Sequence, residues 1–300
     1  MRPVADALRL VHPCGPAARS GDVAFVSRAE HDAAVATAAS LDPDGVLVVE
    51  RPSREVRAAL ADAGFAPEAR LVHLPDVAQT RYVFPARGAP ARYALRELAV
   101  LRRSRRVAAR ALTPGALARL APTTVVFRRR AARPLFAWLS SLPPDATAAS
   151  AVVVTSWRRD GATVVFRFTG SATPDAVVKI GGGAERESDA LARLGDLARS
   201  GARVPTVIQR ARLGDVTAVV ETPVGGVPAT RVALGAPRRA TRLVHSLASW
   251  LDAWNRSSAL PRALERTHVE RVVLAPARQV LPEVPAGAEH LARLERLADA

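Results

Sequence analysis

Short valine-rich runs recur along the chain: VLVVE at 46–50, TTVVF at 123–127, AVVVT at 151–155, AVVKI at 176–180 and TAVVE at 217–221. Each is too short for a helix, and β-branched residues suit a pleated, buried surface. The fold must therefore be organised around a sheet. No apolar run reaches the ~20 residues that a membrane helix needs, so membrane insertion is not expected. Cys14 is the only cysteine, which excludes an internal disulfide and suits a reducing cytoplasm.

Between the runs, helical and turn signals divide the chain. In the first part, strands at 22–26, 46–50, 69–74 and 123–129 alternate with helices. One helix covers EHDAAVATAAS. Another starts at the N-cap Ser53 and stops before Gly64, and a long Arg-rich one spans Arg92 to Leu112. LDPDG at 41–45 is a turn, and turn chemistry accounts for Asp42 and Asp44. SSLPPDATAAS at 140–150 lacks periodicity and reads as a linker. After it come two strands around a turn at Arg158 to Gly161, the AVVKI strand, a glycine run and a helix. RRATRLVHSLASWLDAWN then reads as an amphipathic helix that buries Leu243, Leu247, Trp250, Leu251 and Trp254.

Charge singles out one residue. Of 43 basic side chains only Lys179 is a lysine, and the formal net charge is +15. Where any cation would serve, this chain uses arginine. A surviving lysine marks a place for a compact ammonium in preference to a planar fork. Strand alternation puts Val177 and Lys179 on one face and Val178 and Ile180 on the other. On the following helix, Glu187 falls in line with Leu191 and Leu194, and an interior carboxylate needs a partner. Lys179 is the nearest candidate. The Arg-rich stretches at 101–110 and 128–133 carry no interleaved aromatics and no nucleic-acid motif, so nucleic acid is not the expected partner.

The order AVVKI, Glu187 with its leucines, VVETPVGG and SWLDAW resembles the aminoglycoside phosphotransferase and choline kinase-like family over residues 151–300. That resemblance implies a protein-kinase-like N-lobe, an antiparallel sheet plus a helix, followed by the start of a helical lobe. It implies ATP and Mg as cofactors and a small-molecule acceptor that the sequence leaves unidentified. Lys179 would hold the α- and β-phosphates and Glu187 would position Lys179. Val177 would line the adenine pocket, and Glu221, Thr222 and Val224 would belong to the hinge. Because Pro223 has no N–H, the hinge donor would be Thr222 or Val224. The Gly181–Gly183 run lacks Walker spacing and reads as a turn that starts the helix.

LDPDGVLVVE, with the helix and AGF after it, resembles the C-terminal half of a class I SAM-dependent methyltransferase over about residues 20–130. The family's Gly-rich loop and acidic ribose-binding residue have no counterpart, so no SAM site is expected. The fold class is thus expected to be α/β plus α+β. A partial Rossmann-like methyltransferase domain at 1–139 and a linker at 140–150 precede a phosphotransferase-like unit at 151–300.

None of the six histidines begins a His-Gly-Asp-x-x-x-x-Asn catalytic loop, so no catalytic residue is expected in these 300. The expectation is a window on a longer two-domain protein of phosphotransferase type. Two alternatives stand beside it. One is a methyltransferase-related protein with an accessory kinase-like part. The other is a non-catalytic Arg-rich module that binds anions or nucleic acid.

Overall fold

The computed structural model describes residues 8–12, 15–19, 21–77, 80–95, 113–142, 150–155, 162–195, 204–225, 241–242, 244–249, 266–283 and 286–299. The chain separates into two compact units, Met1–Leu247 and Ala248–Ala300. It is a mixed α/β protein built on a sheet of ten strands. These are β1 (Val23–Val26), β2 (Val46–Glu50), β3 (Phe65–Leu74), β4 (Tyr82–Pro85), β5 (Thr123–Arg129), β6 (Ser150–Val154), β7 (Thr163–Phe168), β8 (Ala176–Ile180), β9 (Val207–Leu213) and β10 (Val216–Glu221). Their order across the sheet is β1-β2-β5-β3-β4-β6-β7-β8-β10-β9. β1 and β2 run parallel; the other eight pairings are antiparallel.

A parallel pair needs a crossover. Here it is a 3-10 segment, Arg28–Ala33, followed by α1 (Ala34–Ala39). The Ser27 capping box starts the segment, with Glu30 Oε2 accepting from the Ser27 backbone N–H at 3.1 Å and its hydroxyl at 2.7 Å. α2 (Arg54–Asp62) begins at Ser53, whose Oγ accepts from Val56 N–H at 3.2 Å, and Gly64 follows it at φ +83°. α3 (Gly88–Tyr93), α4 (Pro114–Leu120) and α5 (Gly182–Gly195) are further α-helices of the sheet unit. The long helix expected over Arg92–Leu112 lies mostly outside the described residues, as do 143–149 of the expected linker, the turn at 158–161 and the segment 250–265. Leu247, expected to be buried, is exposed.

Strand alternation sorts side chains to two faces. On one face, Val48, Leu71, Val83, Val126, Val153, Val165, Val178 and Val220 join a single buried cluster that runs from β2 to β10. Leu8, Leu10 and Val11 from the N-terminal segment, and Leu135 to Leu142, cover it. Trp138 anchors that cover: its Nε1 donates to Leu10 O at 2.8 Å and its ring lies against Gly15. A Cβ on Gly15 would come within 2.5 Å of the ring, and its φ of +56° also favours glycine. The opposite face carries the helices. α1 and α2 enclose Val26, Leu47, Val49, Leu60 and Phe127. α3 packs Ala91 onto Phe84, Val152 and Phe168, with the Tyr93 ring 5.4 Å from both Phe166 and Phe168.

The segment expected as a linker borders this core. Arg167 on β7 is buried and donates to the carbonyls of Leu139, at 3.2 Å, and Leu142. Asp175 neutralises it at 2.6 Å. Two rungs, Tyr82 with Val154 and Val83 with Val153, then join β4 to β6, so the sheet is continuous past residues 140–150.

The second unit contains α6 (Arg266–Val269), a π-helical turn Glu270–Leu274, α7 (Ala275–Val280) and α8 (Gly287–Asp299). Pro276 in the first turn of α7 cannot donate to the turn before it, and a wider turn accommodates that loss. Arg278 bonds Glu270 and also Glu295 at 3.0 Å, linking α7 to α8. Among the described residues no helix is long and apolar enough to cross a membrane.

His73 on β3 is fully buried between two threonines. Thr80 Oγ1 donates to the carbonyls of Asp76 and Val77, so it accepts from His73 Nδ1 at 3.1 Å. Nε2 then accepts from the Thr124 hydroxyl at 2.9 Å. Burial disfavours the imidazolium and lowers the His73 pKa to about 4. The unfolded chain therefore binds a proton more readily than the folded one between that value and the ordinary 6.5. Stability from this group should be full above pH 6.5 and fall as the pH drops towards 4. The loss is on the order of 3 kcal/mol. Urea denaturation from pH 7.5 to 4 should show that slope in the wild type and a much flatter one in His73→Gln.

Candidate functional site

Lys179 sits on β8, between β7 and β10, and the expected alternation holds. Ala176, Val178 and Ile180 are buried in the long core, while Val177 and Lys179 face the helix side and are half-buried. Gly181, at φ +111°, turns the chain out of the strand, and its N–H donates to Thr217 O at 3.1 Å. α5 begins at Gly182, so the glycine run is the entry to the helix. The helix returns over β8 and β10 with Ala184 and Ser188, one turn apart, buried beneath it.

Lys179 Nζ lies 2.5 Å from Glu187 Oε1 and 2.8 Å from Glu221 Oε2. The pairing with Glu187 therefore forms, although its setting differs from expectation. The buried stripe of α5 runs through Ala184 and Ser188, and Glu187 stands about 100° from Ser188 around the helix. Its side chain is consequently 49% exposed and no interior carboxylate. Glu221 is the buried partner, at 1%. Antiparallel pairing sets Val219 opposite Lys179 and Glu221 opposite Val177, which puts Glu221 on the face of the ammonium. A register shift in the β9 pairing at Val220/Glu221 lies at the same point. Among the described residues, Glu221 Oε1 is buried without a hydrogen-bond partner. One ammonium thus faces two carboxylates.

The other expected site residues fall close by. Val177 is flanked by Phe166 on β7 and Glu221 on β10. Thr222 N–H donates to Thr206 O at 2.9 Å, and Thr222 Oγ1 accepts from Thr206 N–H at 2.8 Å. Those bonds extend the β9–β10 ladder and commit the Thr222 N–H. Of the two expected hinge donors this leaves Val224, which is exposed. On the far flank of α5, Glu185 accepts from the Thr217 hydroxyl at 2.6 Å and Asp189 pairs with Arg210 at 2.8 Å.

Sequence reasoning placed Glu221 in a hinge and missed its side chain. The signal was available in the alternation of TAVVE, once that strand is paired antiparallel to AVVKI. Asp44 likewise does more than turn the chain, since it accepts from Arg133 N–H at 3.0 Å and from Arg133 Nε at 2.9 Å. Among the described residues no group of three or more His, Cys, Asp or Glu side chains is placed to hold a metal ion. Compared with protein-family models, curated proteins and solved structures, the chain matches none.

Burial ranks the two carboxylates. Removing the ammonium strands Glu221 in the interior, so Lys179→Met should cost about 3–5 kcal/mol. The double variant Lys179→Met/Glu221→Leu should recover most of that loss. Glu187→Gln should cost under about 1 kcal/mol, as for an exposed pair. Urea midpoints of the four proteins give the comparison. Equal losses in Lys179→Met and Glu187→Gln would contradict the ranking.

Proposed function

We propose that β6–β10 and α5 form a nucleotide-gripping lobe of the aminoglycoside phosphotransferase and choline kinase-like type. Lys179 contacts the α- and β-phosphates of ATP and Glu187 positions it. Val177 lines the adenine side, and residues 221–224 form the hinge, with Val224 supplying the N–H. Mg arrives with the nucleotide. The acceptor of that family type is a small molecule. The observation that carries it is the 2.5 Å contact from Lys179 Nζ to Glu187 Oε1, between a strand and the next helix. Residues 20–130, with a parallel β1–β2 pair crossed over by α1, are read as the methyltransferase-like layer without a SAM site. No His-Gly-Asp-x-x-x-x-Asn stretch occurs in the 300 residues, so the proposal is for nucleotide capture without turnover.

The buried carboxylate of Glu221 favours a second reading. With charges of one plus and two minus, the triad repels a further anion, and Lys179 then serves as a structural clamp between β10 and α5.

Calorimetric titration with ATP–Mg separates the two readings. Lys179→Arg retains a cation for Glu221 but replaces the compact ammonium with a fork. The nucleotide reading expects weak binding by the wild type, about tenfold weaker binding by Lys179→Arg, and no ADP release by either. Absence of ATP binding by a folded wild type, or equal binding by both proteins, supports the clamp.

A further inference from the structure

A groove of about 510 Å³ opens on the helix-bearing face of the sheet, away from the Lys179 triad. Arg70 from β3, Arg87 at the start of α3 and Arg119 from α4 line it, over a floor that includes Pro85 and Ala86. The three arginines come from distant parts of the chain and are placed by separate elements. Arg70 is fixed by a bond from its Nη2 to Thr123 Oγ1 at 3.1 Å. Ala86 N–H donates to Arg70 O at 2.7 Å, which holds the Arg87 segment beside the strand. Glu68 also lines the groove, but its carboxylate is already committed. Oε2 accepts from Arg128 Nε, and Oε1 accepts from Leu135 N–H at 3.1 Å.

The electrostatics agree with the geometry. Partial burial is the main cause that lowers the Arg70 pKa, followed by repulsion from Arg57, Arg51 and Arg87. Arg51 leaves the end of β2, in the left-handed region at φ +43°, and Arg57 projects from α2. Guanidiniums from four elements or their edges, those of Arg70, Arg87, Arg51 and Arg57, are therefore gathered against their mutual repulsion. Planar forks are the preferred partners of phosphate oxygens, and several around one recess match a ligand with more than one phosphate. The volume is that of a small-molecule site. It is too confined for the extended track that a nucleic-acid backbone requires.

We propose that this groove binds a small ligand bearing a diphosphate or two nearby phosphates, with Arg70, Arg87 and Arg119 as its anion contacts. The site is independent of the nucleotide reading of Lys179.

The probe is inorganic pyrophosphate, titrated calorimetrically into the full chain at fixed ionic strength, with sulfate and a 12-nucleotide single-stranded DNA as comparison ligands. Pyrophosphate should bind at least about tenfold more tightly than sulfate. Arg87→Gln/Arg119→Gln should abolish that preference. Both side chains are exposed, so this variant keeps the fold, and its urea midpoint verifies that. Arg70→Gln is the second variant and should weaken pyrophosphate by about tenfold. Equal affinity for sulfate and pyrophosphate overturns the proposal. So does unchanged pyrophosphate binding in the folded double variant, which would move the anion elsewhere. DNA binding that pyrophosphate fails to displace, with no pyrophosphate preference, overturns it in favour of a nucleic-acid surface.

Discussion

The rungs that pair Tyr82 with Val154 and Val83 with Val153 are the constraint on which the sheet unit rests. They are few, yet they merge five strands of the first part with five of the second. Their strength comes from the core below. Val83 and Val153 belong to the same buried cluster as Val48 near one end of the sheet and Val220 near the other. Each fully buried aliphatic side chain of this kind contributes about 1.5–3 kcal/mol relative to exposure. Arg167 adds a polar fastening, taking the carbonyls of Leu139 and Leu142 into the interior with its charge balanced by Asp175. Register, helix placement and the Lys179 triad all inherit their positions from this shared layer.

Local signals were legible where one short stretch contains the whole interaction. Ser53 caps α2 through a bond to a residue three positions on, and Gly64 follows its end. AVVKI alternates faces as a strand should, whatever its neighbours. Non-local arrangements were hidden. Alternating strands and helices suggested an α/β layer, but β5 inserts between β2 and β3 and reverses the local direction of the sheet. β4 spans only four residues and ends at Pro85, too little for a periodic signal. Residues 140–142 were read as the start of a linker, and the contacts of the adjoining stretch with Leu10, Gly15 and Arg167 come from far away in sequence.

The candidate site shows the same division. The lone lysine and the glutamate eight residues later were readable as a pair from strand and helix periods. The face of Glu187 was misjudged: its carboxylate is half exposed, whereas the residues of α5 found buried are the small Ala184 and Ser188. The role of Glu221 depends on β10 lying antiparallel beside β8, which no local pattern states. Charge is thus distributed with contrast over the helix-bearing face. Around Lys179 carboxylates exceed cations, while around Arg70 the guanidiniums are gathered together.

The common core gives the peptide link between Leu142 and Ser150 an unusual status. Cohesion of the flanking pieces resides in interdigitated valines and in Arg167, and not in the covalent thread that joins them. A backbone scission in that interval would leave a nicked particle whose two fragments remain associated. Expressed apart, each fragment would expose an unpaired strand edge and half of a greasy surface, and would be driven to complement the other.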